Sequence, residues 1–196
     1  MSVDPHREQR LPTNAEAPMQ RVDTTVRGRS GRFLLRSDRC RWPNGDEGDY
    51  TVFDGPGSAM VVPVFADRST LLVRQWRYPW GECSWEVPAG TLEGAEEPVA
   101  CASRELVEEA GLRAERLTPL GTVRPHATAA IIQHIFLAQD LTRVRQRRES
   151  YERDMITIEL PLDEALDAAL AGTIRHSGSI VALARAARAV RAVSSG

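Results

Sequence analysis

The segment between Pro98 and Gly111 constrains the fold of this chain most, because its two faces need opposite surroundings. A proline at the first helical position and a glycine just past the last are typical helix boundaries. On that helix, small or apolar residues recur at spacing i, i+3, i+7 and i+11: Val99, Ala102, Leu106 and Ala110. The opposite face carries Glu105, Glu108 and Glu109. The pattern predicts a helix that packs one side against a core and presents three carboxylates on the other.

Charge is concentrated around this helix. The chain has 25 basic and 27 acidic residues, a net charge of −2. The segment from Gly81 to Gly111 holds eight glutamates against a single arginine, Arg104, so it carries −7 and the remaining chain carries +5. Like charges at helical spacing destabilise a helix unless something compensates them. A hard divalent cation would do so through carboxylate oxygens, whereas a solvated glutamate surface is the alternative interpretation of the helix taken alone.

Composition excludes several classes of function. Every basic residue is an arginine, which excludes a lysine Schiff base, a lysine general base and the lysine of a phosphate-binding P-loop. The near-neutral charge argues against a dedicated nucleic-acid-binding protein. No apolar run reaches the length of a transmembrane helix, so no membrane association is expected. Cys40, Cys83 and Cys101 have no paired spacing and are expected as free thiols in a reducing cytoplasm.

The order of the elements predicts a mixed α/β (α+β) fold with a mixed sheet and flanking helices. Residues 1–20 are polar and are expected to form a disordered tail, and residues 21–56 a small β appendage. The main domain is expected over residues 57–196. Its strands are predicted at 59–65, 70–75, 117–123, 131–138 and 155–160, and its helices at 98–110, 161–171 and 177–193. The segment 85–90 is predicted as a short strand that runs into a Gly/Pro loop.

The spacing of glycines and acids around the first helix matches a known motif. It reads Gly90, five residues, Glu96, seven residues, Arg104-Glu105-Leu106, one residue, Glu108-Glu109, one residue, Gly111-Leu112. Nine positions are fixed over 23 residues; this spacing matches the Nudix box, and the chain thereby resembles the Nudix hydrolases. The resemblance implies an α/β/α sandwich that binds Mg²⁺ or Mn²⁺ and cleaves a nucleoside diphosphate linked to another group.

The resemblance also implies roles for individual residues. The implied metal ligands are Glu105, Glu108, Glu109 and the backbone carbonyl of Ala89. The implied catalytic set is Glu109, Glu108 and Arg104, in which Arg104 orients a metal-binding glutamate through a salt bridge. Glu96 is expected to be mainly structural.

Sequence outside the motif resembles the ADP-ribose pyrophosphatase branch of the family, notably Val73 to Pro79 and Trp85 to Gly90. In that branch the β appendage is exchanged between subunits and completes the site of a homodimer. The similarity implies that Arg77 contacts substrate phosphate, that Glu86 is a polar contact lining the site, and that Phe33 stacks on the base. Packing within a dimer interface is the alternative for Phe33.

The loop after Pro125 departs from that branch. ADP-ribose hydrolases usually supply a catalytic glutamate there, whereas no acid occurs between Leu117 and Gln139. The candidates for the general base are therefore Glu109, His126, Glu149 and Glu152. His126 could take a proton or bind phosphate, since an ordinary histidine titrates near pKa 6.5.

The roles of the remaining histidines and of the arginine run, the substrate and the class of function stay open at this point. His134 and His176 are expected to be structural, and the arginine run from Arg143 to Arg148 a solvated loop or, alternatively, a phosphate-steering one. The resemblance implies ADP-ribose or a related nucleotide sugar as the favoured substrate, cleaved to a nucleoside monophosphate and a phosphorylated remainder. The missing glutamate supports the alternative that the substrate is a dinucleoside polyphosphate or an oxidised nucleoside triphosphate. A non-catalytic Nudix domain that senses a nucleotide is the alternative from another class.

Overall fold

The computed structural model describes residues 17–146 and 154–193, and the chain divides into two compact units. Of the described residues, the first unit contains 17–55 and 128–130, and the second contains 56–127, 131–146 and 154–193. Most of the predicted disordered tail lies outside the described residues. Its last residue, Gln20, already belongs to a strand.

The first unit is an antiparallel sheet of three strands, β1 (Gln20–Ser30), β2 (Phe33–Arg41) and β3 (Glu47–Asp54), in that order. The end of β3 is contacted by a short segment from much later in the chain. The Phe53 N–H donates to the Thr128 carbonyl and the Ala130 N–H donates to the Phe53 carbonyl, each at 2.9 Å. Strand β1 is exposed along its whole length. These strands are present where the β appendage was predicted.

The second unit contains two sheets. The larger has the order β7-β4-β9-β8, formed by β4 (Ser58–Pro63), β7 (Ala89–Thr91), β8 (Leu112–Val123) and β9 (Gln133–Arg143). Strand β4 runs antiparallel to β7 and parallel to β9, so this sheet is mixed. The smaller sheet has the order β10-β5-β6 and is antiparallel, with β5 (Ser69–Arg77), β6 (Glu82–Glu86) and β10 (Ile156–Pro161).

Among the described residues, three α-helices cover these sheets: α1 (Pro98–Ala110), α2 (Leu162–Leu170) and α3 (Ser177–Val193). Strand β4 is buried on both faces, and its alternate residues enter different cores. Met60 and Val62 pack in the core that includes α2 and α3, whereas Ala59 and Val61 pack in the core that includes α1. The mixed α/β fold class predicted from the sequence is confirmed.

Several boundaries and faces differ from the prediction. The short strand predicted within 85–90 is the end of β6, whereas part of the predicted Gly/Pro loop is strand β7, which belongs to the other sheet. Strand β8 begins at Leu112 rather than at residue 117. Val99 was expected to face the core but is 46% exposed, and Cys101 is buried instead. The buried stripe of α1 is thereby rotated so that it includes Glu105 and Glu109, which were expected on the outer face.

All three cysteines are free thiols. Among the described residues, no helix combines the length and the apolar character that crossing a bilayer requires.

Candidate active site

Helix α1 is held firmly at its C-terminal end. Gly111 adopts φ +64°, a left-handed conformation that suits glycine, and its N–H closes the helix onto the carbonyls of Leu106 and Val107. The side chain of Gln146 donates to the Glu109 carbonyl at 2.8 Å, and the Val144 N–H donates to the Gly111 carbonyl at 2.8 Å. The segment after β9 therefore fixes the last turn of the helix that carries the glutamates.

Two of the three box glutamates lie inside the protein, against strand β7. Glu109 is 2% exposed, and its Oε2 accepts a hydrogen bond from the Ala89 N–H at 2.8 Å. Glu105 is 6% exposed and lies directly against Gly90, where an added Cβ would be 1.6 Å from Glu105 Oε1. Only glycine at position 90 leaves room for this carboxylate.

Arg104 binds three carboxylates at once. Its Nη1 donates to Glu105 Oε1 at 2.6 Å and to Glu108 Oε2 at 3.0 Å. Its Nε and Nη2 donate to the two oxygens of Glu96 at 3.0 and 2.9 Å. These contacts, the one with Glu96 above all, raise the pKa of Arg104, and the same contact lowers the pKa of Glu96. The guanidinium thus orients Glu105 and Glu108 and ties both to the loop that carries Glu96.

The donor set suits a hard divalent cation. Three carboxylates and the Ala89 carbonyl offer the oxygen ligands that Mg²⁺ and Mn²⁺ prefer. Glu105 and Glu109 are buried one helical turn apart, and burying carboxylates without a compensating cation is costly. Across residues 17–146 and 154–193, no three Asp, Glu, His or Cys side chains lie close enough together in this structure to hold a metal ion. In this arrangement Glu105 and Glu108 bind Arg104, and Glu109 binds the Ala89 N–H.

Glu108 is the box glutamate that lines an open groove along α1. The groove has a volume of about 820 Å³ and is bordered by three arginines and one acid, Glu108. Its polar lining comprises Ser103, Arg104, Glu108, Arg113, Arg145 and Gln146. Arg145, from the predicted arginine run, therefore lies at this groove. Arg143 is engaged elsewhere, with Glu159 at 2.6 Å and with the ring of Phe65 at 5.4 Å.

Arg77, the residue expected to contact substrate phosphate, lies at the end of β5 and pairs with Glu86 of β6. Its Nε donates to Glu86 Oε1 at 2.7 Å and its Nη2 to Oε2 at 2.5 Å. Burial alone would lower the pKa of Arg77, but the hydrogen bonds and charge of Glu86 raise it above its ordinary value. Arg77 therefore keeps its positive charge, and about one-third of its side chain is exposed to solvent.

Glu86 does not occupy the position expected of a substrate contact. Its side chain is completely buried, and both carboxylate oxygens accept hydrogen bonds from Arg77. The geometry makes Glu86 a partner of Arg77 rather than a group that lines the site. The sequence signal was ambiguous, because a glutamate next to the Val-Pro-Ala-Gly segment fits either role.

The other expected substrate contacts lie apart from this cluster in the chain. His126 is exposed in the loop after β8. Phe33 belongs to the first unit, where its ring stacks on Phe53 at a centroid distance of 5.5 Å and an interplanar angle of 10°. Glu149 and Glu152, two candidates for the general base, lie outside the described residues, as do Arg147 and Arg148.

Two contacts at the site could not be found from sequence reasoning. Gln146 binds α1 from a segment that follows two further strands, and no motif links it to Gly111. His176, at the start of α3, lies 3.3 Å from Glu86. A lone histidine before a helix carries no pattern that would reveal this contact.

Comparison with known proteins places this geometry in a family. The NUDIX domain profile matches residues 55–180, well over half of the chain. An ADP-ribose pyrophosphatase of Bacillus subtilis (strain 168) is 35% identical over 140 residues, which cover 70% of this chain and 76% of that protein. An ADP-ribose pyrophosphatase of Mycobacterium tuberculosis (strain ATCC 25618 / H37Rv) is 31% identical over 187 residues, 93% of this chain and 87% of its own.

A solved structure described as an ADP compounds hydrolase has the same fold. The superposition has a TM-score of 0.78 at 19% sequence identity and covers 92% of this chain and 98% of the other. Nudix hydrolases generally need divalent metals, which agrees with the oxygen donors gathered around α1. With the profile matching most of the chain and two relatives above 30% identity, the chain belongs to the Nudix family of pyrophosphate hydrolases.

Proposed function

We propose that this protein hydrolyses the pyrophosphate bond of a nucleoside diphosphate linked to another group, with ADP-ribose or a related nucleotide sugar as the favoured substrate. The products would be a nucleoside monophosphate and a phosphorylated remainder. The observation that carries the proposal is the pair of buried carboxylates, Glu105 and Glu109, held against the backbone of Ala89 and Gly90. The similarity to two ADP-ribose pyrophosphatases supports the choice of substrate.

The proposed cofactor is Mg²⁺ or Mn²⁺, held by Glu105, Glu108, Glu109 and the carbonyl of Ala89. When bound there, such an ion lowers the pKa of a coordinated water and neutralises charge that develops on phosphoryl oxygens. The chain itself supplies the orientation of these ligands. Arg104 holds Glu105 and Glu108 from one side, and the Ala89 N–H holds Glu109 from the other.

In the proposed reaction, a water oxygen bonds to one phosphorus while the bridging P–O bond breaks. The proton of that water passes to a general base, and the electron pair of the broken bond stays on the departing phosphate. Glu109 is the described carboxylate best placed to act as this base, since the Ala89 N–H fixes one of its oxygens. His126 is the second described candidate, and Glu149 and Glu152 complete the set.

Arg77 is proposed to bind the substrate phosphates. A planar guanidinium grips phosphate through two parallel hydrogen bonds, provided that its plane is fixed. Glu86 fixes that plane from the buried side. Glu86 is therefore proposed as a positioning residue. Stacking of Phe33 on the base, assembly as a homodimer and a cytoplasmic location remain predictions.

A hydrolysis screen tests the proposed function. Purified protein would be incubated with ADP-ribose, nucleotide sugars, NADH, diadenosine polyphosphates and nucleoside triphosphates, each with Mg²⁺ or Mn²⁺, and both products identified. We expect ADP-ribose or a nucleotide sugar to give the highest kcat/KM, with a nucleoside monophosphate among the products. Preference for a dinucleoside polyphosphate or a triphosphate would overturn the substrate assignment. Tight nucleotide binding in calorimetry without any turnover would instead indicate a sensing domain.

A further inference from the structure

The start of α3 contacts the buried ion pair of Arg77 and Glu86. The Nδ1 atom of His176 lies 3.3 Å from Glu86 Oε2 and 2.8 Å from the hydroxyl of Ser179. The same Glu86 oxygen accepts the hydrogen bond from Arg77 Nη2. Three elements, β5, β6 and the N-terminal turn of α3, thus meet at one carboxylate.

Ser179 fixes the position of the histidine ring. This serine is completely buried, and its hydroxyl oxygen accepts a hydrogen bond from the Val87 N–H at 3.0 Å. Val87 directly follows Glu86, so the serine is tied to the backbone next to the carboxylate. On another side, the Trp80 ring lies 6.1 Å from the His176 ring, tilted by 43°. The imidazole is therefore held by a hydroxyl and an aromatic ring.

Electrostatics decide which nitrogen of His176 carries the proton. A bare Nδ1 would direct its lone pair at a carboxylate oxygen 3.3 Å away, which is repulsive. A protonated Nδ1 instead donates to the Ser179 hydroxyl oxygen at 2.8 Å and turns the positive end of its N–H bond toward Glu86 Oε2. Burial, the largest effect, lowers the pKa of His176, with Arg77 acting in the same direction and Glu86 against it. The ring is thus neutral near pH 7, with its single proton on Nδ1.

We propose that His176 is a positioning residue for the pyrophosphatase site: its Nδ1–H orients Glu86, and Glu86 in turn sets the plane of the Arg77 guanidinium that binds the substrate phosphates. The inference rests on the proposed function in one respect, the contact of Arg77 with phosphate. It assigns to the residue that precedes α3 an indirect influence on substrate binding, through Glu86 and Arg77.

Kinetics of three variants test this role. Arg77 would bind phosphate in the substrate complex as well as in the transition state, so disturbing it should act mainly on KM. In His176→Ala, we expect KM to rise about tenfold while kcat changes less than about threefold. His176→Asn places an amide near Nδ1 and should return KM to within about twofold of wild type. The matched control is the neighbouring Arg175→Ala, which removes an exposed ion pair with Glu82 and should leave both constants unchanged.

A double-mutant cycle separates positioning from a general structural effect. In an Arg77→Ala background, His176→Ala should raise KM by less than about twofold. The reason is that Glu86 then has no guanidinium to orient toward the substrate phosphates. The same tenfold rise in both backgrounds would overturn the proposal. So would an asparagine variant that is no better than the alanine variant.

Nitrogen NMR of the protein without substrate keeps the inference separate from the proposed function. Wild-type His176 should show its proton on Nδ1, and His176→Asn and His176→Ala should differ in the Nε–H resonance of Arg77, with the asparagine variant closer to wild type. A proton on Nε2, or an Arg77 resonance unmoved in both variants, would overturn the positioning role. Failure of the hydrolysis screen with these NMR results intact would instead overturn the proposed function.

Discussion

At the scale of single residues, the proposed metal ligand Glu109 lies in the protein core rather than at its surface. Only 2% of the residue is exposed, and one carboxylate oxygen is committed to the Ala89 N–H. A carboxylate in such surroundings has few orientations available. It is therefore held in a fixed orientation for binding a metal ion or a proton.

The first prediction concerns this carboxylate. Glu109→Gln keeps an oxygen that can accept the Ala89 N–H, so the fold should persist while the negative charge is lost. We expect kcat to fall by about a hundredfold or more with saturating Mg²⁺, because a ligand and a candidate base are both removed. Steady-state kinetics measure the loss, and circular dichroism checks the fold. Near wild-type kcat in a folded variant would contradict the assignment of this site.

The second prediction concerns the space that Gly90 leaves for Glu105. In Gly90→Ala, the new Cβ would lie 1.6 Å from Glu105 Oε1, so the flexible end of that side chain must turn away. We expect a folded protein that needs about tenfold more Mg²⁺ for half-maximal activity, because one metal ligand is displaced. Gly28→Ala is the matched control, since an added Cβ there meets nothing within 4 Å. An unchanged Mg²⁺ requirement in Gly90→Ala would exclude Glu105 as a ligand.

The third prediction follows from the lowered pKa of His176. As the pH falls through about 6.5, the unfolded chain binds a proton at this histidine that the folded chain does not yet bind. Stability should therefore decrease toward acid in this window, until the pH reaches the lower folded pKa. Urea unfolding of wild type and His176→Asn between about pH 7.5 and 5.5 measures the difference. The variant should lose less stability than wild type, and equal losses would contradict the buried neutral state of His176.

At the scale of elements, the end of α1 is both tightly turned and crowded. Gly111 has φ +64°, and a Cβ there would lie 2.7 Å from Gln146 Cγ and 3.1 Å from the Val144 carbonyl oxygen. Gly172, just beyond the end of α2, has φ +84° but would meet nothing within 4 Å. These two glycines thus share the left-handed conformation and differ in crowding.

The fourth prediction compares alanine at these two positions. Gly172→Ala should cost about 1 kcal/mol of stability, the typical strain of a left-handed non-glycine residue. Gly111→Ala should cost about 1 kcal/mol more, because the contacts of Gln146 and Val144 must also shift. Chemical denaturation of the wild type and the two variants measures the loss of unfolding free energy caused by each substitution. Equal losses of stability in the two variants would show that the segment after β9 shifts without an energetic penalty and does not hold α1 in place.

Elements whose boundaries are set by neighbouring residues could be predicted from the sequence, whereas features set by contacts with distant segments could not. Helix α1 has Pro98 and Gly111 at its boundaries, and both bounds were predicted from these residues alone. Strand β7 was missed, because Pro88 and Gly90 are typical of a loop, although Ala89 and Gly90 pair with β4. The rotation of α1 was missed because periodicity assigns glutamates to the solvent side, whereas Glu105 and Glu109 face the backbone of β7.

The candidate site was predictable to the extent that it lies within one motif. Arg104 and the box glutamates occur within six consecutive positions, so their spacing identified them together. Arg77, Glu86 and His176 come from three separate elements. Their mutual contacts depend on strand register and on where α3 begins, which no local pattern encodes. The burial of Glu86 had no sequence signal at all.

At the scale of the whole molecule, assembly is the open prediction. The resemblance to the ADP-ribose pyrophosphatase branch implies a homodimer in which the β appendage is exchanged. Within the first unit, strand β1 is exposed throughout, and Val22 and Val26 are large apolar residues among those exposed. A three-stranded sheet of this kind gains stability when another surface covers it.

The fifth prediction states the dimer in measurable form. A chain of 21.7 kDa should give twice that mass in light scattering at micromolar concentration. Val26→Asp, which places a charge on the exposed strand, should shift the population toward monomer, and the exposed Leu170→Asp on α2 provides the control. A monomer in the wild-type protein would refute a site shared between subunits.

The parallel pairing of β4 with β9 has a consequence for how the protein is made. Residues 58–63 find their parallel partners at residues 133–138, after α1 and β8 have been synthesised. Pairing strands so distant along the chain closes a long loop, which is entropically unfavourable and slows folding. On the ribosome, the larger sheet stays incomplete until β9 emerges, and β4 would expose apolar side chains during that interval. Folding of the nascent chain is therefore expected to be limited by the arrival of β9 rather than by the early formation of α1.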